Sequence, residues 1–466
     1  MSNLVLKNFS LLTISNFINQ FILVFSGIKI ARTLGPASYG IYTYLFIQML
    51  IYSTISDLGL RNIIIRTIAR NKEMAKSTFF VSITLQLFGL IICSSLMLIY
   101  EHFTHSIKPT MIIYVILAVY LTNLWATCES VWQGHQRMGT PAFINVFYSL
   151  VWIIFVLLTP TSSFTVEYLF KYYCYSQILQ VGTLFICMFL VRGVLIGKIT
   201  NFVVSGFMIL KESSPYYLLN VVNLPTSSLS NNFLERNSTK SELGYFNTSN
   251  RLMSPVRLVI NLSLSAVFPN ISALWINKKQ ELINKVTVSF PVFVIIFGWI
   301  CFSFALVSKN IILILFGVKF LPSVPIMQFQ IWFIFLYALY CFIGTIWGAT
   351  DQQRLIAKFG VINSLIATPL LWFGSKYNAI GLVYSYLIVY LILFPFYYYF
   401  FVKTLNLKLK MLKELICIII MFLVSSFIPI TTPFWERVVL VVITLAIIIK
   451  KYYKLLRIDK KVDINI

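Results

Sequence analysis

At 466 residues, 59% of them hydrophobic and 11% charged, with a mean hydropathy of +0.85, the chain carries more apolar surface than a water-soluble fold can enclose. Ordinary globular chains are roughly 45–50% apolar and about 25% charged, so a soluble enzyme is excluded, and collagen-like, disulfide-scaffold and disordered classes fail as well. What remains is an all-α polytopic membrane protein.

The net charge of +23 does not point to a nucleic-acid partner. Its Lys and Arg residues sit in short stretches between apolar runs, with no basic stripe or interleaved aromatics to form a groove-binding surface. The 7 cysteines are odd in number, include no C-x-x-C pair and mostly lie within apolar runs, where they read as small buried hydrophobes.

Windows of about 20 apolar residues mark membrane-spanning helices. They fall near 9–30, 41–60, 78–100, 111–132, 143–159, 167–191, 214–234, 245–270, 286–308, 326–348, 355–374, 379–402, 412–430 and 434–450. The first window has one preceding lysine and no small-residue cleavage site, so it reads as a retained helix and not a signal peptide. The last pair is short, which leaves twelve helices as the alternative to fourteen.

With the amino terminus placed inside, Lys and Arg on the cytoplasmic side outnumber those opposite about threefold. The opposite loops hold Arg32, Lys108, Arg236, Lys240, Lys309, Lys319, Lys376 and Arg437. Both termini are then cytoplasmic. The chain divides into lobes at 1–200 and 201–405, followed by a helix pair and basic tail at 406–466.

Four cations stand inside the windows themselves: Lys29, Lys171, Arg251 and Arg257. A charge at hydrocarbon depth costs at least about 2.5–3.5 kcal/mol, so it faces a cavity, finds a partner or snorkels to an interface. Lys29 and Lys171 lie near helix ends and can snorkel. Arg251 and Arg257 are separated by about 9 Å of helical rise and cannot easily reach one surface together.

The seventh window is the least hydrophobic, with Asn220, Asn223, Thr226, Ser227, Ser228, Ser230, Asn231 and Asn232 around Pro225. Pro225 removes a backbone donor and predicts a kink or break, a plausible gate whose freed carbonyls need protein neighbours or a wet cavity. The eighth window repeats the pattern with Asn247, Ser249, Asn250, Ser254, Pro255, Asn261 and Ser263. Polar residues of this kind either glue helices together or line a hydrated, cationic cavity. The shared location of polar and basic groups favours the cavity.

A short internal repeat accompanies this. Tyr39-Gly40-Ile41-Tyr42 opens the second window and Leu243-Gly244-Tyr245-Phe246 the eighth; Gly134-His135-Gln136-Arg137 and Gly348-Ala349-Thr350-Asp351-Gln352-Gln353-Arg354 follow the fourth and tenth. An offset of six helices preserves orientation, which predicts parallel halves about an axis along the membrane normal.

No G-x-x-x-x-G-K-[ST] loop is present, so ATP is not consumed through that motif. Glu101, His102 and His105 lack further ligands for a metal, and no cofactor is expected. His135 reads as a loop residue. Asp57 and Glu129 lie near cytoplasmic helix ends, where each can pair with a loop arginine or take part in proton coupling.

Four stretches resemble the polysaccharide-transport branch of the multidrug/oligosaccharidyl-lipid/polysaccharide exporter superfamily, in particular O-antigen flippases. They are Ala31-Arg32-Thr33-Leu34-Gly35-Pro36-Ala37-Ser38-Tyr39-Gly40, Asp57-Leu58-Gly59-Leu60, Asn250-Arg251-Leu252-Met253-Ser254-Pro255 and Leu315-Phe316-Gly317-Val318-Lys319-Phe320. The likeness covers about the first 400 residues.

It implies two six-helix lobes around a V-shaped cavity and a substrate, an oligosaccharide repeat unit on undecaprenyl diphosphate. That substrate is moved from the cytoplasmic to the periplasmic leaflet of a bacterial inner membrane during O-antigen and lipopolysaccharide biosynthesis. It also implies a cation-lined cavity, carried here by Arg251 first and by Lys29 or Arg32 next; Arg257 and Lys171 join from bilayer energetics alone. A polysaccharide polymerase and a chain-length regulator are the implied protein partners. The alternative functions are a drug/cation antiporter of the same superfamily, a membrane polymerase or glycosyltransferase, and a structural helper. The antiporter would favour cavity carboxylates, and the enzyme a sizeable outer loop.

Overall fold

The structure is a computed structural model that describes residues 3–198, 202–409, 411–428 and 432–462. Among the described residues no strand occurs; every hydrogen-bonding backbone run is helical, as hydrocarbon requires when it offers the chain no partners. Among the described residues ten helices are long and apolar enough to cross a membrane by length and composition, and the described part of each of the fourteen expected windows falls largely on helix.

Contacts divide the chain into two compact units, Met1–Gly244 and Tyr245–Ile466. The first begins with α1, Asn3–Ser56, which is two helices joined at Gly35 (φ 74°, ψ 172°). Glycine takes this positive φ without a Cβ penalty, and Pro36 then starts the next helix where its missing N–H is not needed. A turn through Leu58 and Gly59, both at positive φ, leads into α2, Leu60–Arg70. The helices α3 (Ala75–Thr104), α4 (Pro109–Gly134), α5 (Gly139–Leu158), α6 (Val166–Leu190), α7 (Phe202–Val222) and α8 (Ser230–Asn237) complete the unit.

The apolar windows at 41–60 and 78–100 leave the residues between them as a basic loop, where the structure instead forms the short α2. Its Leu60, Ile63, Ile64 and Ile68 recur at helical spacing and bury against Phe79, Val131, Trp132 and Leu184, while Arg61 and Arg66 reach Glu129 and Glu212. The segment is therefore an amphipathic helix, with one face in the core and one in the ion pairs.

Between α7 and α8 the chain forms a π-helical segment, Pro225–Leu229. Pro225 cannot supply the usual backbone donor, and the wider turn lets the helix continue without it. The contacts of this region belong to the first unit, with α7 against α1, α2 and α3 and α8 against α1.

The second unit follows from α9, Lys240–Asn277, whose first residues still belong to the first. It contains α10 (Lys279–Leu315), α11 (Ser323–Ala349), α12 (Gln353–Ser375), α13 (Asn378–Leu405), α14 (Leu412–Phe427) and α15 (Phe434–Val462). The most enclosed helix is α11, which packs against α10, α12, α13 and α14. The last two helices pack on α10; Trp332 Nε1 of α11 donates to Ser425 Oγ of α14 at 3.0 Å, and Trp299 Nε1 of α10 donates to Thr444 Oγ1 of α15 at 3.2 Å. Arg437, counted above as an outer-loop cation, is only 2% exposed. Its guanidinium donates to the Leu306 carbonyl at 3.1 Å and to Thr432 Oγ1 at 2.8 Å.

The paired motifs Tyr39-Gly40 and Leu243-Gly244 meet in the first unit. A Cβ on Gly40 would lie 2.0 Å from the Lys240 carbonyl oxygen, and one on Gly244 2.1 Å from that of Pro36. The glycines permit this backbone-to-backbone crossing of α1 and α9, the reason small residues recur where membrane helices touch.

Candidate functional site

Arg257 stands near the middle of α9. Its guanidinium reaches back two helical turns to donate to Asn250 Oδ1 at 2.8 Å, following the tilt of helical side chains towards the amino terminus. It also lies 5.8 Å from the centroid of the Phe333 ring, with Tyr337, Tyr386 and Tyr390 within electrostatic reach. Among the described residues no carboxylate pairs with it. One amide oxygen and an aromatic face leave most of its five N–H donors to other partners.

The surrounding aromatic wall comes from α11 and α13. Phe333 packs on Tyr386 and Tyr390 with centroids 4.9 and 5.0 Å away, and Tyr340 packs on Tyr390 and Tyr397 at 4.8 and 4.2 Å. The Tyr340 hydroxyl donates to the Tyr390 carbonyl at 2.8 Å. Tyr337 donates to Asn261 Oδ1 at 3.2 Å, one turn of α9 beyond Arg257. Asn250, Arg257 and Asn261 thus form a polar stripe on α9 facing aromatic residues, an arrangement suited to a planar or anionic group.

The other expected residues are dispersed. Arg251 is half-buried on the same helix, Lys29 half-buried on α1, and Arg32 exposed beside the Gly35 break. Lys171 is half-buried with its ammonium 5.4 Å from the Tyr114 ring centroid. One turn earlier, Glu167 pairs with Lys108 at 2.6 Å. Asn220 and Asn223 are exposed, and Asn223 spends a donor on its own helix, at the Leu219 carbonyl, 2.9 Å away. Thr226 and Ser227 likewise donate to carbonyls three residues back. Pro225 is buried in the π-helical segment, whereas Pro255 is half-buried inside α9.

Asp57 and Glu129 sit in separate networks of the first unit. Gln86 Nε2 donates to Asp57 Oδ1 at 3.1 Å and accepts at Oε1 from Thr127 at 3.0 Å, and Asn123 donates to Ser56 Oγ at 2.7 Å. Glu129 accepts from Arg61 at 3.0 Å and from Gln133 at 3.0 Å. His135 is buried, with Nε2 2.7 Å from the Val194 carbonyl oxygen. Burial pushes its imidazole below the ordinary histidine range, as do the Arg137 and Lys72 charges, while the Val194 hydrogen bond opposes them. Among the described residues no group of three or more His, Cys, Asp and Glu side chains fits a metal ion.

Sequence reasoning missed the aromatic wall and the amide network around Asp57. The first had a signal in the tyrosines at 386, 390 and 397, spaced along one side of α13. The second had none, because Gln86 reaches Asp57, and Thr127 reaches Gln86, from other helices.

A family model described as polysaccharide biosynthesis protein matches residues 5–275. Among solved structures, the lipid II flippase MurJ in an inward closed conformation is similar with a TM-score of 0.70 and 16% identity, covering 96% of this chain and 99% of that one. An inward-facing multidrug resistance MATE family transporter of the MOP superfamily is similar with a TM-score of 0.60 and 15% identity, over 83% of this chain and 95% of that one. A MOP superfamily transporter from Pyrococcus furiosus, described as having a binding pocket of reversed polarity, is similar with a TM-score of 0.56 and 16% identity, over 86% of this chain and 96% of that one. No curated protein sequence matches the chain. The chain is therefore a multi-pass membrane protein of the polysaccharide biosynthesis family, with the two-lobed fold of the MOP exporter superfamily.

Proposed function

We propose that the protein is a flippase. In this reading it carries oligosaccharide repeat units on undecaprenyl diphosphate, of O-antigen or a similar surface polysaccharide, from the cytoplasmic to the periplasmic leaflet of a bacterial inner membrane. The observation that carries the proposal is Arg257: a cation near the middle of an apolar helix, held by one amide and an aromatic face and matched by no carboxylate among the described residues. Such a charge is costly in hydrocarbon, and an anionic headgroup offsets that cost only while it passes. Arg251, Lys29, Arg32 and Lys171 are the further substrate-binding cations of this proposal, and Asn220 and Asn223 its amides for sugar hydroxyls.

A diphosphate and any acidic sugars must cross a low-dielectric layer, and fixed guanidinium groups lower that barrier by charge-assisted hydrogen bonds. The polyprenyl tail stays in the bilayer. Rocking of the two lobes gives alternating access, with the π-helical segment at Pro225 and the helix around Pro255 as the bending points and Asp57 and Glu129 as coupling groups. Both termini are cytoplasmic, and a polymerase and chain-length regulator take the product on the far side. A drug/cation antiporter would call for a carboxylate where α9 carries Arg257.

The test is translocation of a lipid-linked oligosaccharide by the purified protein in proteoliposomes, with a cellular arm in parallel. Arg251→Ala should abolish surface polysaccharide while leaving the protein in the membrane. Normal glycan output from a well-expressed Arg251→Ala strain would remove that residue from the site, and proteoliposomes that move organic cations but no glycolipid would overturn the flippase reading.

A further inference from the structure

The first unit contains a group of charges that the transport reading does not use. Glu101, at the end of α3, is 4% exposed, and Glu235, on α8, is 7% exposed. Lys240, the first residue of α9, pairs with Glu235. Ser106 Oγ donates to Glu235 Oε2 at 3.1 Å, and the Ile107 N–H donates to Glu101 Oε2 at 2.9 Å. The second oxygen of Glu101 makes no hydrogen bond among the described residues.

Tyr44 of α1, only 1% exposed, belongs to the same group. Its hydroxyl faces the Ser106 and Tyr100 side chains, its ring lies 5.7 Å from the Lys240 ammonium, and Glu235 and Glu101 stand close by. The remaining polar neighbours are Tyr52 on α1, Tyr100 on α3 and Arg236 on α8.

Within the group, two buried carboxylates share a single paired lysine. One negative charge and one carboxylate oxygen are left over in a place nearly closed to water, where an unmatched charge is expensive. We propose that the Glu101–Glu235 pair is a proton-exchange site: the pair binds one proton, carried on Glu101, when Lys240 holds Glu235. Loss of that proton leaves two carboxylates competing for Lys240. The lysine is also the residue whose carbonyl touches Gly40 at the helix crossing, and it opens the helix that carries Arg251 and Arg257. A proton taken up or released here therefore acts on the anchored end of the cation-bearing helix. The site stands independently of the flippase reading, which supplies only its purpose.

The experiment is a pH titration of the full chain in lipid vesicles, followed by infrared difference spectroscopy of the protonated-carboxyl stretch, in sodium chloride and in choline chloride. The expected result is a titrating carboxyl band that disappears in Glu101→Gln and persists in Glu101→Asp. Ser106→Ala, which removes one donor to the pair, should move the midpoint to higher pH by about one unit. A band that survives Glu101→Gln unchanged would overturn the assignment. So would a midpoint that depends on sodium, which would make the group a metal-cation site. If Glu101→Gln does not fold, the midpoint shift of Ser106→Ala decides, and no shift counts against the proposal. Because no glycolipid is needed, the outcome is separable from the transport assay.

Discussion

Two cations on α9, one at its start in the first unit and one further along in the second, are treated in opposite ways. Lys240 is partly exposed but pairs with the buried Glu235 and lies beside Glu101 and Tyr44, so its charge is balanced within the protein. Arg257 has an amide, an aromatic face and no carboxylate among the described residues. A balanced charge holds a helix end in place; an unbalanced one retains the capacity to bind something that arrives. The difference separates scaffold from site on one helix, between a lysine that the sequence places in an outer loop and an arginine that it places inside a window.

That contrast can be broken by substitution. In the proposed transport cycle Arg257→Ala removes a charge-assisted contact worth about 1.5–3 kcal/mol, so glycolipid translocation should fall about ten- to hundredfold, with the protein still in the membrane. Arg257→Lys should retain part of the rate, since it keeps the charge but loses the planar fork. Equal rates for wild type and Arg257→Ala in reconstituted vesicles would erase the distinction from Lys240. Gly244→Ala tests the scaffold side: its Cβ would meet the Pro36 carbonyl at 2.1 Å, and the helices must separate at a cost of about 1–3 kcal/mol. Thermal unfolding in detergent should show the loss. Gln86→Leu is expected to cost about 1–3 kcal/mol by leaving Asp57 and Thr127 without their buried amide partner; an unchanged melting temperature would show that water satisfies both groups.

Periodicity and length made the fold legible. Each apolar window became helix because hydrocarbon permits little else, and Gly35-Pro36 and Pro225 marked places where the helical ladder changes. The helix α2 was legible too, through the spacing of Leu60, Ile63, Ile64 and Ile68, but its arginines drew it into a loop. The site was legible only as cost: a bare count of charges at depth picked out Arg257, Arg251, Lys29 and Lys171 without saying which had partners. Lys171 next to Tyr114 and near Glu167 differs from Arg257 only through neighbours on other helices, and a single sequence does not encode those directly. The same limit hid Glu101 and Glu235, which lie far apart in the chain and meet through Lys240 and Ser106.

The smallest effect expected comes from His135, which pins the connection around Val194 to the end of α4. Its imidazole is held below the ordinary range chiefly by burial, so the folded chain binds a proton less readily than the unfolded one. Above the unfolded value of about 6.5 neither state is protonated and His135 adds no pH dependence. As pH falls below that value the unfolded chain gains the proton first, and stability declines by up to about 1.4 kcal/mol per pH unit until the folded pKa is reached. His135→Gln keeps a side-chain donor for the Val194 carbonyl but cannot titrate. Its unfolding midpoint in detergent should therefore match the parent near neutral pH and exceed it under mildly acidic conditions. Parallel curves across that range would mean that the buried ring is already matched by a proton or a solvent path, and that the α4 connection is looser than the 2.7 Å contact implies.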